Sequence, residues 1–86
     1  MASYKISIKK SAAKEIEAID SKGTRQAIVD KIFSLSENPR GEGSVKLSGQ
    51  ENYRIRQGDY RILYQIFDDK IEIVVVKVGH RSKVYK

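Results

Sequence analysis

Three arginines, Arg54, Arg56 and Arg61, recur in a stretch that reads as two strands of a β-meander. Parity along a strand fixes the face, so all three fall on one side. Like charges on neighbouring strands repel and weaken a sheet, and a polyanion that neutralises them accounts for the arrangement. Guanidinium groups are planar, donate bidentate hydrogen bonds and stay charged at any cellular pH, which suits them to phosphate. The competing reading is a plain solvated sheet face. An arginine opposite an arginine, with Asp59 the only carboxylate near in sequence, counts against it.

Further along stands Gly79-His80-Arg81-Ser82-Lys83-Val84-Tyr85-Lys86. His80 and Arg81 come at the end of a β-branched run, where a rigid strand aims reactive groups. Lys83 adds a cation for RNA. Tyr85 offers a ring for an unstacked base, a contact worth about 1–3 kcal/mol. The bland alternatives are a solvated loop histidine and an aromatic that staples the tail to the domain.

Other chemistries find little support. There is no GxxxxGKS loop, no GxGxxG after a strand and no nucleophile elbow. Asp68 and Asp69 are neighbours in a turn, so they do not converge as paired carboxylates. With no cysteine and one histidine, neither a thiolate site nor an imidazole cluster is available, and no metal or cofactor is expected.

The chain has 86 residues, enough for one small domain spanning 1–86. Seventeen Lys and Arg against eleven Asp and Glu give a formal net charge of +6, which fits a nucleic-acid partner but equally serves solubility. No apolar run approaches the roughly 20 residues that span a bilayer, and the first residues lack the apolar segment of a secretory signal. A soluble cytoplasmic protein is expected.

The elements that must position these side chains follow from periodicity. Tyr4 to Ile8 alternates as a half-buried strand. Ser11 can cap a helix with Ala12, Ala13, Ile16 and Ile19 inward, ending near Gly23. Thr24 can cap a second helix with Ala27, Ile28, Ile32, Phe33 and Leu35 inward, stopped by Asn38-Pro39. After a loop over residues 40–44, a short strand can begin at Val45 to Leu47. Tyr53 to Arg56, Tyr60 to Phe67 and Ile71 to Val78 then form an antiparallel meander, turning at Gly58-Asp59 and Asp68-Asp69-Lys70. If Gly58 and Asp59 are the turn, Tyr53 faces Tyr64, Ile55 faces Ile62 and Arg56 faces Arg61; a turn at Gln57-Gly58 sets Arg54 against Arg61. The fold class is α+β, with two N-terminal amphipathic helices on one face of a small antiparallel sheet, in the order β-α-α-β-β-β.

Tyr53-Arg54-Ile55-Arg56, Gly58-Asp59-Tyr60-Arg61-Ile62-Leu63-Tyr64-Gln65 and Val78-Gly79-His80-Arg81-Ser82-Lys83-Val84-Tyr85, in that order and spacing, resemble the RelE family of toxins within the RelE/ParE superfamily. The resemblance covers essentially the whole chain. It implies a microbial-ribonuclease-like fold and the toxin of a type II toxin–antitoxin system, a ribosome-dependent mRNA endonuclease that cuts in the decoding site and stops translation. The implied reaction is metal-free attack by a 2′-hydroxyl on the adjacent phosphate, leaving a 2′,3′-cyclic phosphate.

On that resemblance Arg61 stabilises charge, Arg81 stabilises charge or donates a proton, Tyr85 orients or stacks the base, and Arg54 and Arg56 bind RNA around the scissile phosphate; Lys83, a cation of the basic tail, is a further RNA-binding candidate. Relatives carry lysines where this chain has Arg54 and Arg56, and a guanidinium is a poor proton acceptor at neutral pH. Imidazole is a better one, which makes His80 the candidate base. The implied partners are a RelB-like antitoxin, the ribosome and mRNA, with a monomer when free and a toxin–antitoxin hetero-oligomer when inhibited. Two alternatives stand beside this: a ParE-like inhibitor of DNA gyrase, and a non-catalytic RNA- or ribosome-binding module.

Overall fold

Gly58, with φ of 60°, makes the tight turn that pairs the two arginine-bearing strands. Tyr53 pairs with Tyr64, Ile55 with Ile62, Arg56 with Arg61 and Gln57 with Tyr60, the first of the two registers that the sequence allows. The computed structural model describes residues 3–49 and 51–84. Along the chain run β1 (Lys5–Ile8), α1 (Lys10–Glu17), α2 (Lys22–Ser34), β2 (Val45–Lys46), β3 (Tyr53–Gln57), β4 (Tyr60–Phe67) and β5 (Glu72–His80).

The five strands form one sheet in the order β1-β5-β4-β3-β2. Three neighbouring pairs are antiparallel, as expected of a meander, whereas β1 joins the far edge parallel to β5. A parallel pair needs a long crossover, here supplied by both helices and the rest of the meander. Both helices pack on one face of the sheet. Ala12, Ile16, Ile19, Ile28, Ile32 and Leu35 meet Ile55, Ile62, Tyr64, Ile73, Val75 and Val78 in the core.

Strand β5 is irregular. Tyr64 pairs with Val75 but Leu63 pairs with Lys77, so Val76 is an extra residue, a β-bulge. Inward positions are therefore Ile73 and Val75 before it, and Val78 after it. Ile71, expected in the strand, lies instead in the preceding loop with φ of 50°. Its carbonyl accepts the Lys5 amide at 2.9 Å, which ties that loop to β1.

The helix ends differ from the expected ones. Lys9 donates its amide to Val75 as the last rung beside β5, so the chain passes straight into α1 at Lys10 and leaves Ser11 inside the first turn. Helix α1 stops at Glu17, and Gly23 lies within α2. Ser21, not Thr24, caps α2, its hydroxyl accepting the Thr24 amide at 3.2 Å. Arg25 closes the link between the helices by donating to the carbonyls of Ile19 and Asp20. Phe33, expected inward, is 55% exposed. It follows buried Ile32 by about 100° around the helix, which turns it off the core stripe.

A polar cluster ties the loop after α2 to the far end of the sheet. Arg40 holds Asp68 in a bidentate pair at 2.8 and 3.2 Å, Tyr4 donates to the same carboxylate at 2.7 Å, and buried Tyr64 donates to the Pro39 carbonyl at 2.6 Å. Arg40 and Tyr4 hold the Asp68 carboxyl below its ordinary range, and burial pushes the Tyr64 phenol up.

Candidate nucleic-acid interface

Residues paired directly across an antiparallel ladder point to the same face, so the register assigns each candidate side chain to a side. Ile55 and Ile62 are in the helix-covered core, and the alternate residues Arg54, Arg56 and Arg61 therefore lie on the opposite, uncovered face. Arg56 is exposed and stands directly across from Arg61, one pair from the turn. Arg54 is half-buried opposite Leu63, whose apolar surface its aliphatic stem is placed to cover. Arg61 reaches back to the hairpin, its Nη1 donating to the Tyr60 and Gly58 carbonyls at 3.1 and 3.3 Å. A guanidinium carries five N–H donors, so anchoring through one nitrogen leaves much of the fork to face an anion.

The segment after β5 is a turn over residues 81–84 that folds back toward the same hairpin. Two backbone amides, of Lys83 and Val84, donate to the His80 carbonyl at 2.8 and 3.0 Å. Val84 is 2% exposed and rests against Gly79, the residue across from Arg61. Arg81 donates its amide to the Asp59 carbonyl at 2.8 Å and keeps its guanidinium 3.8 Å from the Asp59 carboxylate, both side chains being largely exposed. Arg56, Arg61 and Arg81 thus gather around the Gly58-Asp59 turn, with Arg54 one alternate position further along β3.

His80 is not brought to this face. It pairs with Tyr60, which packs against the core on the helix side, and the two rings meet edge-on with centroids 5.7 Å apart. Its Nδ1 lies 2.9 Å from the Ser82 hydroxyl and accepts the Ser82 amide at 3.3 Å. An imidazole accepting at Nδ1 carries its proton on Nε2 when neutral, so in this arrangement Nε2 is a donor rather than a base. Lys83 is exposed and, with His80, Tyr60, Glu15 and Ile19, borders a groove of about 360 Å³ on the helix side of the tail. Tyr85 lies outside the described residues.

Two participants escaped the sequence reading. Glu15, on α1, reaches β5: its carboxylate accepts the Val78 amide at 3.0 Å and Lys77 Nζ at 3.2 Å. Asp59, read as a turn residue, is the anchor of the tail. Nothing in local sequence pairs residue 15 with 78 or 59 with 81; a three-dimensional fold is needed to see either. Among the described residues no group of three or more His, Asp and Glu could hold a metal ion, and no helix is long and apolar enough to cross a membrane.

The family described as ParE toxin of type II toxin–antitoxin system, parDE, matches residues 6–85. The chain belongs to the RelE/ParE superfamily of toxins. Among its relatives is the mRNA interferase toxin RelE of Escherichia coli K12, 35% identical over 66 residues that make up 71% of this chain and 68% of that protein. Its fold is shared with the toxin–antitoxin complex RelBE2 of Mycobacterium tuberculosis, at a TM-score of 0.84 and 26% identity over 96% of this chain and 97% of the other. The isolated E. coli RelE toxin superposes with a TM-score of 0.77 and 30% identity, covering 90% of this chain and 83% of that one. The RelE resemblance read from the motifs and the two-helix, sheet-backed fold class both hold for this RelE/ParE toxin.

Proposed function

We propose that this chain, acting as one domain in the cytoplasm, is the toxin of a type II toxin–antitoxin pair and cleaves mRNA bound to the ribosome. The observation that carries the reading is the Gly58-Asp59 turn, where Arg56 stands across from Arg61 on the uncovered face and the Arg81 amide is bonded to the Asp59 carbonyl. A similar relative named an mRNA interferase supplies the substrate class, and relatives found as RelB–RelE complexes supply the partner class, a RelB-like antitoxin; the toxin is a monomer when free and part of a hetero-oligomer when inhibited.

In the proposed reaction the 2′-oxygen of one nucleotide attacks its 3′-phosphate, the bond from phosphorus to the 5′-oxygen breaks, and a 2′,3′-cyclic phosphate and a 5′-hydroxyl result. Charge builds on the non-bridging oxygens. Arg61, pre-aimed by its two carbonyl contacts, and Arg81, held over the same turn by Asp59, are the groups that meet it. Arg54 and Arg56 bind the flanking backbone on the arginine face, Lys83 meets it from the helix side of the tail, and Tyr85 stacks on a base. His80 serves better as a brace for the tail than as the base, given its face and the occupied Nδ1. No acid–base pair converges beside the arginines among the described residues, which supports a reaction completed only when the ribosome holds the mRNA.

The test is to add the purified chain to programmed ribosomes with a defined codon in the decoding site and map new mRNA ends, beside Arg81→Ala. A cut within that codon, absent without ribosomes and slowed about 10²–10³-fold in the variant, is the expected result. Intact mRNA overturns the reading. Because the matching family carries the ParE description, inhibition of gyrase supercoiling by the same preparation is the parallel measurement that would favour the second reading.

A further inference from the structure

The strand that delivers Arg81 loses its neighbour before it gets there. Strand β1 ends at Ile8, paired with Val75, and the Lys9 amide makes the last rung to the Val75 carbonyl. Beyond the bulge at Val76, the N–H of Val78 meets no strand. A sheet edge of this kind presents backbone donors with no ladder partner. Here the acceptor is a side chain from α1: Glu15 Oε1 takes the Val78 N–H at 3.0 Å, while its second oxygen takes Lys77 Nζ at 3.2 Å. The carboxylate is about one-third exposed, so it is partly desolvated where it makes these bonds.

We infer that Glu15 is a positioning residue for the reaction, acting through β5 on Arg81; this rests on the reading of Arg81 as a group that meets the scissile phosphate. From Val78 the backbone runs through Gly79, which receives Val84, and His80, whose carbonyl closes the tail turn, to the Arg81 amide on Asp59. On one side this last stretch of β5 is laddered to Tyr60, Arg61 and Ile62 of β4. On the other side Glu15 takes the place of the missing strand. Removing it frees one border of the strand that leads to Arg81. Small displacements of a catalytic group lower turnover without lowering affinity for the substrate carrier.

The experiment compares wild type, Glu15→Ala, Glu15→Gln, Arg81→Ala and the Glu15→Ala/Arg81→Ala double variant on programmed ribosomes, with the cleavage rate at saturating ribosomes and the half-saturating concentration measured separately. Thermal unfolding of each variant confirms folding. Glu15→Ala is expected to slow cleavage about tenfold with half-saturation within twofold of wild type. Glu15→Gln, which keeps an oxygen for the Val78 N–H, is expected to restore most of the rate. In the Arg81→Ala background, Glu15→Ala should cost nothing more, because its effect passes through Arg81. In amide exchange, Glu15→Ala should speed Val78 and Arg81 while leaving Ile62 unchanged. A wild type that cuts no codon sinks the functional reading itself. A wild type that cuts while Glu15→Ala cuts equally fast, or a Glu15→Ala loss that is additive with Arg81→Ala or not rescued by glutamine, sinks only this inference.

Discussion

Val84 lies against Gly79 so closely that a Cβ on residue 79 would come 3.3 Å from the Val84 Cβ and 3.4 Å from its Cα. Since Gly79 pairs with Arg61, this contact lays the tail beside the arginine face. Gly79→Val is expected to lift residues 81–84 from β5. The check is amide exchange at Val84, whose N–H is bonded to the His80 carbonyl in the wild type and should lose protection. Cleavage should fall by about tenfold or more while the core amides of β4 stay protected.

Arg56 and Arg61 stand directly across the ladder, where like charges are destabilising. Arg56→Gln should therefore raise the urea midpoint slightly while weakening RNA or ribosome binding. The plot of log affinity against log salt should lose about one unit of slope, the signature of one lost phosphate contact. A variant that loses stability and keeps its salt slope would show that the pair serves the fold rather than an anion.

Arg61→Ala and Arg81→Ala are each expected to lower the cleavage rate by about 10²–10³-fold, the usual cost of removing one preorganised donor from a developing oxyanion, with ribosome affinity little changed. Asp59→Asn should differ sharply from both. The tail is held by the Asp59 backbone carbonyl, and the exposed 3.8 Å ion pair adds little, so stability should move by less than about 0.5 kcal/mol and activity should persist. Single-turnover rates and urea midpoints check this contrast.

Asp68 sets an acid limit on stability. Hydrogen bonds from Arg40 and Tyr4 depress its carboxyl in the folded chain, so the folded state binds this proton less readily than the unfolded state does. Its contribution is present above the unfolded value of about 3.9 and is lost as pH falls through the lower folded value. Denaturant midpoints across the acid range should fall for the wild type. For Asp68→Asn that part of the decline should be missing, with the two curves converging in strong acid.

The register of the arginine hairpin was legible because two local signals agree: alternation on both strands and a glycine where the turn needs a positive φ. The faces of Arg54, Arg56 and Arg61 follow directly. The side of His80 was not legible, because the bulge at Val76 shifts the parity of β5 and a run of consecutive valines carries no alternation in which to see it. Helix starts were misplaced for a related reason. Ser11 and Thr24 have the chemistry of caps, yet the Lys9 rung on β5 and the Ser21 hydroxyl decide where the helices begin. Glu15 shows the remaining limit: its charge was visible, but its partner lies 63 positions away.

The single residue inserted at Val76 has a consequence for how this chain tolerates change. Along β3 and β4, odd and even positions answer to different demands, one side to filling the core and the other to presenting charge, so tolerance should alternate residue by residue. Along β5 that rhythm slips by one position at Val76: before it, Ile73 and Val75 are the intolerant sites; after it, Val78. Deleting residue 76 would leave every pair in place, Val75 with Tyr64, Lys77 with Leu63 and Gly79 with Arg61, and would remove only the bend and added twist that the extra residue gives the strand. One inserted residue thus sets the angle at which the buried half of the strand meets the half that leads to Arg81, and a lineage that lost it would keep each residue's face while changing where the end of the strand is aimed.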